Sequence, residues 1–243
     1  MENIKAPDIF ENKTFEELCF KVFNYQYYNC KTYRTFCDFF ITSTKDVKKI
    51  SDIPFLPIEF FKSHRIVSSN QPVKKTFTSS GTTGANASKH CVTDLKLYQK
   101  NTIQIFEELY GPINNFCILA LLPSYLERDG SSLVYMVDYF IKKSENSESG
   151  FYLNNQEELY NKLISLEERS QKTLLIGVSF GLLDFVEKYN IKLNHTIIME
   201  TGGMKGRRKE MIREDLHKIL SAGFGVKKIH SEYGMTELLS QAY

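Results

Sequence analysis

The sequence predicts an α/β protein, with a layered, mostly parallel sheet following a helical N-terminal layer. Three observations lead there. Short continuous apolar runs recur at 116–122 (FCILALL), 173–180 (TLLIGVSF) and 196–201 (TIIMET). Strands buried on both faces read this way, whereas half-solvated strands alternate. Amphipathic stretches near 131–143, 156–170, 181–189 and 206–221 separate these runs, the alternation that builds βαβ units. The first 72 residues carry helical spacing instead, so the expected division is 1–72 as a helical layer and 73–243 as the α/β body.

Residues 14–43 are expected to be helical. Thr14 with Glu17 makes a capping box ahead of the apolar positions Leu18, Val22 and Tyr25. The dense aromatics here (Phe20, Phe23, Tyr27, Tyr33, Phe36, Phe40 among them) are read as core, with tyrosine hydroxyls at the rim. Pro54 and Pro57 break the pattern, and IPFLPIEFFKSHRIV is expected to run as a turn, a short helix and a strand. His64 and Arg65 lie in it, and His64 is read as structural. SENSESG (144–150) is expected to be a surface excursion, and VKKIH (226–230) the last strand.

Charge and cysteine usage narrow the function class. There are 31 basic and 29 acidic residues, a net charge of +2, which predicts no polyanion-binding surface and no nucleic-acid partner. The five cysteines form no C-x-x-C pair, so neither a zinc site nor a disulfide framework is expected. The polar N-terminus lacks a signal-peptide core, and no run of about 18 apolar residues could span a membrane. A cytoplasmic protein is the expectation.

Ligands of open α/β sheets collect at the carboxyl ends of strands. The segments expected there are TSSGTTG, PSYLERDGSS, GVSFG, TGGMKG and SEYGMTE, which carry much of the chain's Gly, Ser and Thr. Together they are expected to form one composite site. Lys75 to Gly84 (KTFTSSGTTG) stands out. Glycine lets backbone approach an anion closely, and clustered N–H and hydroxyl groups can cradle it. A Walker loop is excluded: Gly81 and Gly84 lead into Ala85, Asn86 and Ala87, and Lys89 arrives late. KHCV reads as a second strand, so the loop is expected to join a hairpin.

Two chemistries compete for the remaining motifs. Gly177-Val178-Ser179-Phe180-Gly181 matches the nucleophile elbow of a hydrolase, with Asp184, Asp215, His217 and His230 as downstream partners. Its bland counterpart is a strand-end turn with Ser179 capping the next helix. TSSGTTG followed by EYGMTE instead resembles the paired signatures of the adenylate-forming superfamily. With IPFLPIEFFKSH, SYLERDGSSL, ETGGMKG and SEYGMTELLSQAY, the run from about residue 50 to 243 looks most like the acyl-protein synthetase (LuxE-type) branch.

That resemblance implies a sheet body of the adenylate-forming large-domain type and two cofactors, ATP and Mg²⁺. It implies that Thr78, Ser79, Ser80, Gly81, Thr82, Thr83 and Gly84 grip the ATP phosphates, with Lys89 following. Ser88 stands where the family's usual proline precedes that lysine. Gly202 and Gly203 would lie against adenine, Tyr233 stack on it, Thr236 approach the α-phosphate and Glu237 serve Mg²⁺. Thr236, Glu237 and Lys89 are the catalytic candidates, and Gly177, Ser179 and Gly181 would line the acyl pocket. The implied reaction joins a carboxylic, fatty-type acid to a thiol, with an acyl-accepting protein or a reductase as partner. Basic residues at Lys205, Arg207, Arg208 and Lys209 are read as a solvated face, or as charge drawn to an anion. Family members carry, beyond the second motif, a ribose-binding acid, a catalytic lysine and an acceptor cysteine. None has a counterpart here, so a fragment or a shortened relative is the expectation. A nucleotide- or acyl-binding subunit without catalysis is the third class.

Overall fold

The structure is a computed structural model and describes residues 6–79, 87–122, 130–204 and 207–243. Two compact units result, Met1–Leu95 and Lys96–Tyr243.

In the N-terminal unit, α1 (Phe15–Asn29) starts at the expected capping box. The Glu17 amide donates to Thr14 Oγ1 at 3.3 Å, and the Thr14 amide donates to Glu17 Oε2 at 2.9 Å. Two orphan donors of the first turn are thereby satisfied. Cys30 ends α1 and leads into α2 (Lys31–Cys37). Arg34 closes the corner by donating to the Tyr27 and Tyr28 carbonyls. Phe23, Cys30, Tyr33, Cys37, Val47 and Ile53 form the buried cluster, with Phe20, Tyr27 and Phe36 against it. The tyrosine rim is real at Tyr27, whose hydroxyl donates to Asp38 at 2.7 Å and is pushed up to about 12, chiefly by that bond. Phe39 and Phe40 depart from the core reading, being 81% and 66% exposed. The short helix α3 (Phe60–Ser63) forms, but no strand follows it at 64–67. His64 stacks on Phe60 with ring centroids 4.9 Å apart, a local structural role.

Strands β1 (Lys75–Thr78) and β2 (Lys89–Val92) pair antiparallel, so the glycine-rich loop does join a hairpin. The hairpin is a two-stranded sheet of its own. Compactness groups it with the N-terminal helices. Phe61 packs edge-on against His90 of β2, with centroids 5.4 Å apart.

The C-terminal unit is built on a six-stranded sheet. Its strands are β3 (Cys117–Leu121), β4 (Gly150–Phe151), β5 (Thr173–Val178), β6 (Thr196–Thr201), β7 (His230–Gly234) and β8 (Gln241–Ala242). They lie in the order β4-β3-β5-β6-β7-β8, all parallel except β8. β3 and β5 are buried along their whole length, which is why they read as unbroken apolar runs. The helices are α4 (Leu95–Tyr110), α5 (Ser132–Ser144), α6 (Gln156–Glu168), α7 (Ser179–Lys188) and α8 (Arg213–Phe224). Gly225, at φ +65° in the left-handed region, ends α8.

Three boundaries differ from expectation. SENSESG is no pure excursion: Ser149 Oγ accepts from the Ile118 amide at 2.9 Å and delivers Gly150–Phe151 as an edge strand beside Leu119 and Ala120. Helix α8 starts at Arg213, not near 206. The last parallel strand begins at His230, where the sequence reading ended it, because pairing with β6 starts at Met199↔His230. The segment Ser231–Gly234 therefore lies within the sheet instead of in a loop after it. No helix among the described residues is long and apolar enough to cross a membrane.

Candidate functional site

In the N-terminal unit the candidate element is the neck of the β1–β2 hairpin. Thr78 pairs with Lys89, and Phe77, fully buried, pairs with His90. Directly opposed residues share a face of an antiparallel pair, so the Thr78 and Lys89 side chains leave on one side. One step further, the Ser79 amide donates to the Ser88 carbonyl at 3.1 Å and Ser79 Oγ accepts from the Ser88 amide at 2.9 Å. Ser88 is 2% exposed, so the neck is tied down where the family's usual proline would be. Lys89 is exposed. Ser80, Gly81, Thr82, Thr83 and Gly84 lie outside the described residues, as does Lys205.

In the C-terminal unit the candidate residues gather at the carboxyl edge of β5, β6 and β7. Gly202 and Gly203 follow β6 directly and are exposed. Gly202 takes φ +70°, which a side chain would strain. Thr201 pairs with Glu232 across β6 and β7, so the register carries Gly202 alongside Tyr233 as the two strands end. Tyr233 is 59% exposed and pairs with Ala242 of β8. Gly234 answers a close approach: a Cβ there would stand 2.8 Å from Glu232 Oε1. The Leu238 amide donates to the Met235 carbonyl at 3.1 Å, making a turn that presents half-exposed Thr236 and Glu237 at the tip of the β7–β8 hairpin. Gly202, Gly203, Tyr233, Thr236 and Glu237 are thus brought to one edge.

Beneath that edge sit two carboxylates that the sequence reading passed over. Glu200, 2% exposed, accepts from Ser231 Oγ at 2.6 Å and from Ser179 Oγ at 3.2 Å. Its Oε1 also faces Arg213 Nε at 3.3 Å and His217 Nε2 at 3.5 Å. Glu232, 7% exposed, accepts from Thr201 Oγ1 at 2.5 Å. Burial pushes the Glu232 carboxyl above its ordinary range; the Thr201 bond opposes that, and the Glu200 charge adds to it. The available signal was an acidic residue in the otherwise apolar run TIIMET. Such a charge cannot be buried without partners.

Ser179 begins α7 directly after β5, as the elbow motif requires, but the rest of a hydrolase is not assembled. Its hydroxyl is 1% exposed and reaches Glu200 and, at 2.9 Å, the Gly202 carbonyl. In a triad the histidine stands between serine and acid. Here the acid stands between Ser179 and His217. The backbone at Ser179 also lacks a positive φ, the strain associated with such elbows. Gly177 and Gly181 are packing positions: a Cβ on Gly177 would stand 2.8 Å from Leu182 Cγ, and one on Gly181 3.2 Å from Val178 Cγ2. The other triad partners are engaged elsewhere. Asp184, with Glu187, binds Arg208 in a fork, and His230 Nδ1 lies 3.0 Å from the Tyr110 hydroxyl. The basic stretch after β6 therefore does meet an anion at Arg208, namely the acidic face of α7. Among the described residues no group of three or more His, Cys, Asp or Glu is arranged to hold a metal ion.

The fold, a mostly parallel sheet with helices, is that of the adenylate-forming enzymes. The solved structure of 2-hydroxyisobutyryl-CoA ligase, in complex with 2-HIB-AMP and CoA, matches 90% of this chain and 52% of that one, with a TM-score of 0.58 and 9% identity. At that identity the likeness carries the fold alone. ATP-bound MatB from Rhodopseudomonas palustris matches 80% of this chain and 33% of that one, with a TM-score of 0.46 and 13% identity. In sequence, the long-chain-fatty-acid–luciferin-component ligase of Photorhabdus luminescens is 33% identical over 75 residues, 30% of this chain and 64% of that protein. The chain belongs to the acyl-protein synthetase (LuxE) family, whose family model matches residues 8–243.

Proposed function

We propose that this chain activates a carboxylic acid with ATP and passes the acyl group to a thiol. In the first half-reaction a carboxylate oxygen bonds to the α-phosphorus of ATP, and the bond to the pyrophosphate oxygen breaks. Acyl-adenylate and pyrophosphate are the products. In the second, a thiolate attacks the acyl carbon and AMP leaves. The observation that carries the reading is the β7–β8 hairpin, which presents Tyr233, Thr236 and Glu237 beside the Gly202–Gly203 turn. Membership of the LuxE family supports the ligase class.

The residue roles follow from chemistry. Exposed Tyr233 offers a face for a nucleobase, and Gly202 and Gly203 leave room for a ring to lie flat against backbone. Thr236 supplies a hydroxyl toward the α-phosphate. Glu237 is a single oxygen donor, which suits Mg²⁺: that ion is usually bound by one or two carboxylates, with phosphates and waters completing its shell. When bound it would neutralise charge on the leaving pyrophosphate. In the N-terminal unit, Thr78–Gly84 and Lys89 are proposed to bind phosphate oxygens through hydroxyls, amides and one ammonium. Gly177, Ser179 and Gly181 shape the acyl side by setting how α7 packs on the sheet. The relative's name points to a long-chain fatty acid as substrate.

ATP–pyrophosphate exchange across a panel of fatty and aromatic acids tests this. Acid-dependent exchange that Glu237→Ala abolishes is the expected result. Nucleotide binding without exchange for any acid would make the chain a binding subunit. Absence of both would overturn the reading.

A further inference from the structure

We propose that Glu200 is a positioning residue that sets the geometry of the Gly202–Gly203 turn and the β7 motif together. This rests on the functional reading above. Glu200 is at the hub of contacts from three other elements. Ser179 donates to it from the first residue of α7, Ser231 from β7, and Arg213 and His217 face it from the first turns of α8. A carboxylate 2% exposed is unfavourable unless every oxygen is satisfied, and an apolar residue of similar volume would hold strand to helix at least as well. Fold stability alone therefore gives no reason for a charge here. Geometry does.

Two of its partners lead directly to the candidate nucleotide side. Ser179 Oγ has one proton and two acceptors, Glu200 Oε2 at 3.2 Å and the Gly202 carbonyl at 2.9 Å. The hydroxyl, its proton shared between the two in a three-centre bond, bridges the Glu200 carboxylate to the turn at left-handed Gly202. Ser231, at 2.6 Å, precedes Tyr233 by two residues on the same strand, and alternation puts both side chains on one face of β7. One side chain thus governs both strand ends, where the turn and the tyrosine emerge. Arg213 compensates the charge from the solvent side, its own side chain being 63% exposed.

The test uses the full chain with Glu200→Gln and the milder Ser179→Ala. Both keep the local volume nearly constant. Two readouts are taken: backbone hydrogen exchange without nucleotide, and the KM for ATP against the KM for the acid. The expected result is that exchange at His230–Tyr233 quickens at least tenfold in both variants, while exchange in β3 (Cys117–Leu121) is unchanged. With it, the KM for ATP rises at least tenfold in both variants, and in Glu200→Gln the KM for the acid stays within twofold. Equal quickening in β3 and β7 would mean general destabilisation and would overturn the proposal, as would unchanged exchange in β7. If the unmodified chain bound no ATP, the functional reading would fail. The exchange measurement would still decide whether Glu200 holds the strand ends.

Discussion

Thr201 Oγ1 lies 2.5 Å from Glu232 Oε2, joining the last residue of β6 to a carboxyl that burial has pushed upward. The group binds its proton more tightly folded than unfolded, so its contribution to stability is largest below the unfolded value of 4.5 and is lost as pH rises through the folded value. Relative to Glu232→Gln, the unmodified chain should therefore lose stability progressively as pH rises from 4.5. Thr201→Val removes the one described donor to that carboxylate and should cost about 1–3 kcal/mol at neutral pH, less once Glu232 is protonated. Urea midpoints across this range check both. A Glu232→Gln difference that is flat with pH would contradict the assignment.

Gly177 is held to glycine by packing. Gly177→Ala places a methyl 2.8 Å from Leu182 Cγ and 3.1 Å from Leu121 Cβ. Overpacking of this kind costs about 1–3 kcal/mol. Adding Leu182→Ala should recover part of the loss, and a double-mutant cycle would show positive coupling. Strict additivity would mean that the two residues do not meet.

Arg208 anchors the segment after β6 to α7 through Asp184 and Glu187. Its side chain is 29% exposed, so Arg208→Ala should cost only about 0.5–1 kcal/mol after solvent screening. The sharper effect should be local: protease cleavage within Arg207–Ile212 should accelerate. Arg208→Lys should rescue little, because an ammonium cannot reproduce the fork. Full rescue by lysine would show that charge alone suffices.

Ser179 should resist serine-directed phosphonates. Its hydroxyl is 1% exposed and faces a carboxylate and a carbonyl, with no histidine set between serine and acid and no path for a bulky phosphonate. Mass spectrometry after prolonged exposure should find no adduct at Ser179. Stoichiometric labelling there would revive the hydrolase.

Much of the architecture was legible from residue order because it rests on local physics. The runs at 116–122, 173–180 and 196–201 became β3, β5 and β6, since strands covered on both faces leave no room for alternation. The Thr14–Glu17 box formed because its partners are three residues apart. The hairpin around the glycine-rich loop followed from two short strands flanking turn residues. What stayed hidden depends on distant neighbours. The start of β7 at His230 is fixed by Met199, and β4 exists because Ser149 reaches Ile118. Glu200 looked like the end of an apolar strand, and only Ser179, Ser231, Arg213 and His217 give it meaning. The motif residues Tyr233, Thr236 and Glu237 were picked out by resemblance. Their placement in a hairpin was not, because β8 is two residues long and has no sequence signal of its own.

That hairpin has unequal arms. Its outgoing arm is a strand of the parallel sheet. Its return arm is pinned to α4, where Asn101 Nδ2 donates to the Leu239 carbonyl at 2.6 Å and Gln241 Nε2 to the Thr102 carbonyl at 3.3 Å. With both arms clamped to different supports, displacement of Thr236 and Glu237 is confined to the tip between Met235 and Leu238. The signature is a span held at both ends, four residues long from Met235 to Leu238, and it is placed jointly by α4 and by the sheet.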